Sequence, residues 1–184
     1  EYLTTTRKLS IDTINKYNIG YFPQNINALK QYVPDTTLIR TSIMAYNGTS
    51  QFSETYHLIF PIMSEYNDAV GIGGRTLLSD IERKALDLEK YKNKKKKKSN
   101  YLYGLNKSRG FILKKQNVFV VEGYFDHLAM DNNKIYNSVA ICGTSFSKNH
   151  LLKLARYTDK ITFILDRDND SKKSMERIYN KYCN

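Results

Sequence analysis

Three carboxylates follow two apolar runs in the last third of this 184-residue chain. Glu122 follows the run Val-Phe-Val-Val at 118–121, and Asp166 and Asp168 follow the run Ile-Thr-Phe-Ile-Leu at 161–165. If the two runs are strands of one parallel sheet, their carboxyl ends lie at the same edge, where ligands gather. A few hard oxygen ligands suit Mg²⁺ or Mn²⁺, which keep several waters and bind substrate phosphates. The spacing therefore predicts a divalent-cation site formed by Glu122, Asp166 and Asp168.

The segments around these acids predict the fold that must position them. Both runs are short, continuous and rich in β-branched or aromatic residues, which is typical of strands covered on both faces. Between them lie a helix-like segment from Tyr124 to about Asn132, a third apolar run at 138–141 and an amphipathic segment at 148–157. A further helix is predicted through 175–182. The order β-α-β-α-β indicates an α/β fold with a parallel sheet flanked by helices.

Simpler roles for the same acids stay open at this point. A carboxylate at a strand end can cap the following helix, and Asp166-Arg-Asp168 can be a solvated turn. A calcium loop of the EF-hand type is a poor match, because the sixth and twelfth positions from Asp166 hold Ser171 and Arg177 instead of Gly and Glu. Asp126 lies four residues after Glu122 and belongs to the candidate metal site, with a supporting role favoured over direct coordination.

Several motifs, in order along the chain, resemble those of one enzyme family. The segments Val-Val-Glu-Gly-Tyr-Phe-Asp at 120–126, Cys-Gly-Thr at 142–144 and Asp-Arg-Asp at 166–168 resemble the toprim domain of bacterial-type (DnaG-like) DNA primases. Upstream, Ile-Phe-Pro-Ile at 59–62, Val-Gly-Ile-Gly-Gly-Arg at 70–75 and Leu-Tyr-Gly-Leu at 102–105 resemble successive motifs of the same primases' RNA polymerase core. Residues 9–23 resemble the helix and turn that open that core, so the similarity extends over almost the whole chain.

The resemblance implies a fold, an activity and partners. It implies a smaller α+β lobe at 1–115, followed by a toprim lobe at 116–184 that is shortened at its C-terminus. It implies synthesis of RNA primers from ribonucleoside triphosphates on a single-stranded DNA template, with Mg²⁺ or Mn²⁺. Glu122 would then lie nearest the transferring group, and Asp166 and Asp168 would hold the metals. A replicative helicase, in trans or in the same polypeptide, is the expected protein partner.

Glycines and basic residues supply the candidate contacts to nucleotide or nucleic acid. Gly73 and Gly74 can belong to a hairpin turn or bulge, or can let the backbone approach a phosphate, with Arg75 as a planar phosphate partner. The resemblance favours the second interpretation. Thr144 can lie in a simple strand-to-helix turn, and the resemblance places it beside the metal site. The resemblance also places Lys98 at a template cleft, and Arg109 adds to the basic surface.

The charge balance favours a nucleic-acid partner. The chain has 29 Lys and Arg against 18 Asp and Glu, a net charge of +11 and a sequence pI near 9.5. Six lysines fall between Lys92 and Lys98. Such a block is typical of a flexible, solvated insertion, predicted here over about 90–99, more than of a specific binding arm. No long apolar span suggests a membrane.

Departures from the family pattern keep other functions open. The toprim signature usually reads Asp-Gly-Asp, whereas this chain has Arg167 between the acids, and His57 is the nearest basic candidate before the Phe-Pro-Ile motif. Another toprim enzyme, such as a nuclease or topoisomerase fragment, and a non-catalytic nucleic-acid-binding module are the alternatives. A composition rich in Lys, Asn, Ile and Tyr is typical of AT-rich coding, which together with the resemblance implies a plastid primase or a bacterial or phage one. The lysine insertion favours the plastid (apicoplast) location, with the bacterial cytoplasm or nucleoid as the alternative.

Overall fold

The computed structural model of the chain describes residues 1–23, 25–40, 43, 47, 55–95, 100–143 and 145–182. The chain divides into two compact units. Unit 1 comprises residues 1–16, 62–70 and 97–184, and unit 2 comprises residues 17–61 and 71–96.

The elements follow one another as a mixed α/β series, opened by a single π-helical turn. That turn spans Tyr2–Thr6. The helices are α1 (Ile11–Lys16), α2 (Asn27–Lys30), α3 (Asp35–Arg40), α4 (Asp80–Ala85), α5 (Leu105–Lys115), α6 (Tyr124–Asn132), α7 (Lys148–Leu154) and α8 (Asn169–Tyr182). The strands are β1 (Gly20–Tyr21), β2 (Leu58–Met63), β3 (Ala69–Arg75), β4 (Tyr91–Lys95), β5 (Val118–Val121), β6 (Ser138–Ala140) and β7 (Ile161–Ile164). Among the described residues, no helix has the length and hydropathy needed to cross a membrane.

A three-stranded parallel sheet forms the centre of unit 1, as the sequence predicts. The strand order is β6-β5-β7, and Val121 at the end of β5 lies opposite Ala140 and Ile164. The middle strand is buried except for the half-buried Phe119, and Val118 and Val120 pack into a core with residues of α5, α7 and α8. The prediction that both acid-bearing strands are covered on both faces is wrong for β7. This strand lies at the edge of the described sheet, and Ile164 is 47% exposed.

A four-stranded sheet of order β1-β2-β3-β4 forms most of unit 2. The prediction of a flexible segment at about 90–99 is wrong for Tyr91–Lys95, which form β4 and pair antiparallel with β3. Lysine is tolerated on an edge strand, where its charge stays in water while the backbone completes the ladder. Residues 96–99 lie outside the described residues. Helix α3 begins directly after Pro34, whose carbonyl accepts hydrogen bonds from its first turn.

A buried carboxylate joins two parts of unit 1. Glu65, in the turn after β2, is 4% exposed, and its two oxygens lie 2.6 Å from Lys153 Nζ and 2.6 Å from Arg156 Nη1. Burial alone would raise the pKa of Glu65, but hydrogen bonds and charge from the two cations lower it below its ordinary value. The pair of cations therefore keeps this acid ionised and ties the turn to α7.

A second buried polar group lies inside unit 1 at His127 on α6. The ring is fully buried, and its Nδ1 lies 2.9 Å from Ser138 Oγ on β6. Burial lowers the pKa of His127 to about 4, although the nearby Asp131 opposes the shift. His127 is therefore neutral in the folded protein at pH values where an exposed histidine is already protonated.

We expect this histidine to make the fold sensitive to mild acid. Below pH ~6.5 the unfolded chain binds a proton at His127, whereas the folded chain does so only near the lowered pKa of about 4. The free energy of unfolding should therefore fall by roughly 2 kcal/mol between about pH 7.5 and about pH 5. Urea unfolding of the parent chain and of His127→Gln at both pH values measures the effect. An equally large loss in the variant would assign it to other groups.

Candidate nucleotidyl-transfer site

Glu122 occupies the residue directly after the central strand of the parallel sheet. Its side chain is half-buried and turns toward the start of α8, not toward the helix that follows it. Glu122 Oε2 accepts a hydrogen bond from Ser171 Oγ at 3.0 Å and a longer one from the Asp166 backbone N–H at 3.4 Å. Oε1 accepts none from the described residues. Glu122 therefore presents a fixed carboxylate with one open oxygen at the strand edge.

Asp166 and Asp168 follow β7 at the same edge, and both are exposed. The Asp166 carboxylate makes no hydrogen bond or ion pair with the described residues, whereas its backbone N–H contacts Glu122. Asp168 Oδ1 accepts a hydrogen bond from the Ser171 N–H at 2.8 Å, so it caps the first turn of α8. The helix-capping alternative is therefore confirmed for Asp168. The Asp166 carboxylate remains open to a ligand.

Asp126 lies in the first turn of α6, beside the same acids. Its Oδ2 accepts a hydrogen bond from the Gly123 N–H at 2.8 Å, which fixes the backbone directly after Glu122. Loss of hydration, and then the nearby Asp166 charge, raise the pKa of Asp126 although the Gly123 hydrogen bond opposes the shift. Glu122, Asp126, Asp166 and Asp168 therefore surround one edge, as the topology predicts.

The carboxylate oxygens at this edge can bind a hard divalent cation directly with a small number of protein ligands. Among the described residues, no group of three His, Cys, Asp or Glu side chains is arranged to hold a metal ion. Mg²⁺ needs only one or two carboxylates when waters and substrate phosphates complete its shell. The open Oε1 of Glu122 and the unpaired Asp166 carboxylate provide such ligands on adjacent groups.

The candidate phosphate-binding residues Gly73, Gly74 and Arg75 lie within β3 of unit 2. Gly73 and Gly74 are buried and pair with Asn93 and Lys92 of β4, so the hairpin-turn or bulge interpretation is wrong. Arg75 is 8% exposed, and its Nη1 donates to Tyr91 Oη at 2.7 Å. Its guanidinium carbon also lies 5.1 Å from the centre of the Tyr91 ring.

The three other residues predicted to contact nucleotide or nucleic acid lie outside β3. Arg109 lies on α5 of unit 1 and is half-buried. Thr144 and Lys98 lie outside the described residues. Gly143, next to Thr144, has a φ of +73°, a conformation that glycine adopts without strain.

Sequence reasoning missed Ser171, which connects the acids of the site. Ser171 is 4% exposed, and it donates its hydroxyl to Glu122 and its backbone N–H to Asp168. The spacing Asp168-x-x-Ser171 is that of a helix N-cap and the third residue of its helix, which is a sequence signal for the start of α8. The contact with Glu122 has no signal in the sequence, since it depends on how α8 packs against the sheet.

Two known protein families match the chain. The family described as DNA primase catalytic core, N-terminal domain, matches residues 1–109, and the family described as Toprim-like matches residues 119–184. A DNA primase of Rickettsia felis is 34% identical over 185 residues, covering 95% of this chain. The match covers 30% of that primase, so the chain spans about a third of the length of such relatives.

Solved structures have the same fold. The zinc-binding and RNA polymerase domains of the Aquifex aeolicus primase match with a TM-score of 0.82 and 25% identity, covering 95% of this chain and 44% of that one. A DnaG primase catalytic domain bound to single-stranded DNA matches with a TM-score of 0.78 and 28% identity, covering 95% and 56%. With its acids at the edge of a toprim-like sheet, the chain belongs to the family of DNA primase catalytic cores.

Proposed function

We propose that this chain is the catalytic core of a DNA primase that joins ribonucleotides into short RNA primers on single-stranded DNA. The observation that carries the proposal is the edge where Glu122 and Asp166 meet, each with open carboxylate oxygens. A primase catalytic domain of the same fold is described as bound to single-stranded DNA, which supports a template of that kind here. Ribonucleoside triphosphates are the proposed second substrate.

The chemistry of the step assigns different tasks to the acids. In primer extension a 3′-hydroxyl attacks the α-phosphate of a triphosphate, and pyrophosphate leaves in line. A bound Mg²⁺ or Mn²⁺ would activate the attacking hydroxyl and stabilise the leaving group. Glu122, fixed by Ser171, lies nearest the transferring group, and Asp166 and Asp168 serve as metal ligands. Asp126 acts indirectly, because its hydrogen bond to Gly123 holds the backbone beside Glu122.

Residues away from the acids are proposed to contact nucleotide or nucleic acid. Gly73, Gly74 and Arg75 form the proposed phosphate-binding stretch of β3, and Arg109, Lys98 and Thr144 are further candidates. Arg75 donates one N–H to Tyr91, and its planar guanidinium is the proposed partner of a phosphate. The division into a lobe at 1–115 and a toprim lobe at 116–184 is part of the same proposal.

The proposal includes a protein partner and a compartment. A replicative helicase, in trans or in the same polypeptide, is the proposed protein partner, because a primer is needed where a helicase exposes single strands. The Lys- and Asn-rich composition supports a plastid (apicoplast) location. The alternative of a bacterial cytoplasm or nucleoid is supported by the bacterial origin of the primases that match the chain.

A toprim nuclease is the second candidate, because the same acids can assist strand cleavage. One reaction separates the two candidates: the chain is incubated with 5′-labelled single-stranded DNA, labelled ribonucleotides and Mn²⁺. A primase core yields new alkali-labile products complementary to intact DNA. Shortened DNA without alkali-labile product would instead assign the site to a nuclease, and intact DNA without product would favour a binding module.

A further inference from the structure

Unit 2 exposes a pair of stacked rings that the proposed chemistry does not use. Tyr21 on β1 and His57, just before β2, have ring centroids 5.1 Å apart and planes 17° from parallel. Tyr21 is 68% exposed, and its hydroxyl makes no hydrogen bond with the described residues. The pair is called the Tyr21–His57 platform below.

The backbone fixes this platform from both sides. The Phe22 N–H donates to the His57 carbonyl at 2.6 Å, and His57 Nδ1 lies 3.0 Å from the Phe22 carbonyl. Since a carbonyl oxygen only accepts, Nδ1 carries the proton in this contact. Residues next to the pair point inward, because Phe22 and Tyr56 are both 5% exposed and form one small core. The platform is therefore rigid while its Tyr21 ring remains open.

The charge of unit 2 suits a polyanion. Lys92 Nζ lies 5.7 Å from the centre of the Tyr56 ring, next to His57 in the sequence. Unit 2 as a whole has ten Lys and Arg against six Asp and Glu. An exposed aromatic face on a unit of net positive charge is an arrangement on which unpaired bases stack without sequence preference.

We propose that the Tyr21–His57 platform binds single-stranded DNA by stacking one unpaired base on the Tyr21 ring. The proposal rests on the proposed function, because it names a contact to the template of the primase. Since every base has a π-face, the contact adds affinity but little sequence selectivity.

Two labelled probes of equal length test the stacking contact: oligothymidylate, and an abasic oligomer with the same number of phosphates. Their affinities for the parent chain, Tyr21→Ala, Tyr21→Ile and Tyr21→Phe are measured by fluorescence anisotropy at several salt concentrations. Tyr32→Ala is the matched control, because Tyr32 is also in unit 2 and is 79% exposed. Tyr21→Ile keeps a side chain that favours strands, and urea unfolding of each variant confirms that it is folded.

Removal of the ring should weaken oligothymidylate binding by roughly 5- to 150-fold in both Tyr21→Ala and Tyr21→Ile. Binding of the abasic oligomer and the slope of affinity against salt should not change, since no phosphate contact is lost. Tyr21→Phe and Tyr32→Ala should bind like the parent chain. Normal oligothymidylate binding by folded Tyr21→Ala would overturn the platform alone. A parent chain that binds neither probe would overturn the platform and the proposed template together.

Discussion

Replacing Glu122 with glutamine should lower ribonucleotide incorporation by on the order of 100-fold or more, while single-stranded DNA binding stays unchanged. Glutamine keeps the shape and one oxygen that can accept the hydrogen bond from Ser171, but it removes the negative charge. The loss would therefore report the charge at the strand edge and not the packing of α8. Incorporation of labelled ribonucleotides and anisotropy of labelled DNA measure the two quantities on the same preparation.

Glu176→Gln is the matched control for this change. Glu176 lies on the exposed face of α8, and the substitution alters the chain by the same atoms and the same charge. We expect incorporation by Glu176→Gln to equal that of the parent chain. Retention of more than about a tenth of the activity by Glu122→Gln would contradict a role for its carboxylate.

Gly104→Ala should destabilise the protein by roughly 3 kcal/mol or more. Gly104 precedes α5 with a φ of +84°, a conformation that is strained for any other L-residue. An added Cβ would also lie only 2.1 Å from Nε2 of the buried His127 ring. That ring has little room to move, because it packs against Tyr103 and lies beside Ser138. The shift of the urea midpoint measures the loss.

Two other glycines separate the contributions of strain and overlap. Gly143→Ala has a φ of +73° but no atom near the added carbon, so a loss of about 1 kcal/mol is expected. Gly110→Ala lies within α5 in open space and should stabilise by about 0.5 to 1 kcal/mol. If Gly104→Ala were no worse than Gly143→Ala, close packing of Gly104 on His127 would not be the cause.

The parallel sheet of unit 1 could be predicted from the sequence because its three strands and the helices between them have local signals. The run Val-Phe-Val-Val identifies β5 and the run Ile-Thr-Phe-Ile-Leu identifies β7, and the segments between them have the length of helices. The lateral order β6-β5-β7 has no such local signal, and neither has the exposure of Ile164 at the edge. Strand β4 was missed because a lysine run indicates solvation, whereas pairing with β3 is decided by backbone hydrogen bonds.

The sequence could predict which edge of the sheet carries the candidate site, but not all of the contacts within it. Strand ends in a parallel sheet meet, so Glu122 and Asp166 come together as expected. The start of α8 was predicted six residues too late, at Met175 instead of Asn169, because the helix was not extended back to a cap at Asp168. The hydroxyl of Ser171 could not be assigned to Glu122, because its direction depends on that missed helical turn.

The most direct test of metal-dependent primer synthesis compares the parent chain with Asp166→Asn. Both are incubated with single-stranded DNA and labelled ribonucleotides in Mn²⁺, with and without excess chelator. We expect short RNA products from the parent chain only, and none after chelation. The Asp166 carboxylate makes no contact with the described residues that would give it a structural role, so a loss of product in Asp166→Asn would report a lost metal ligand. Equal products from Asp166→Asn, or none from either chain while both bind DNA, would contradict synthesis at this acidic edge.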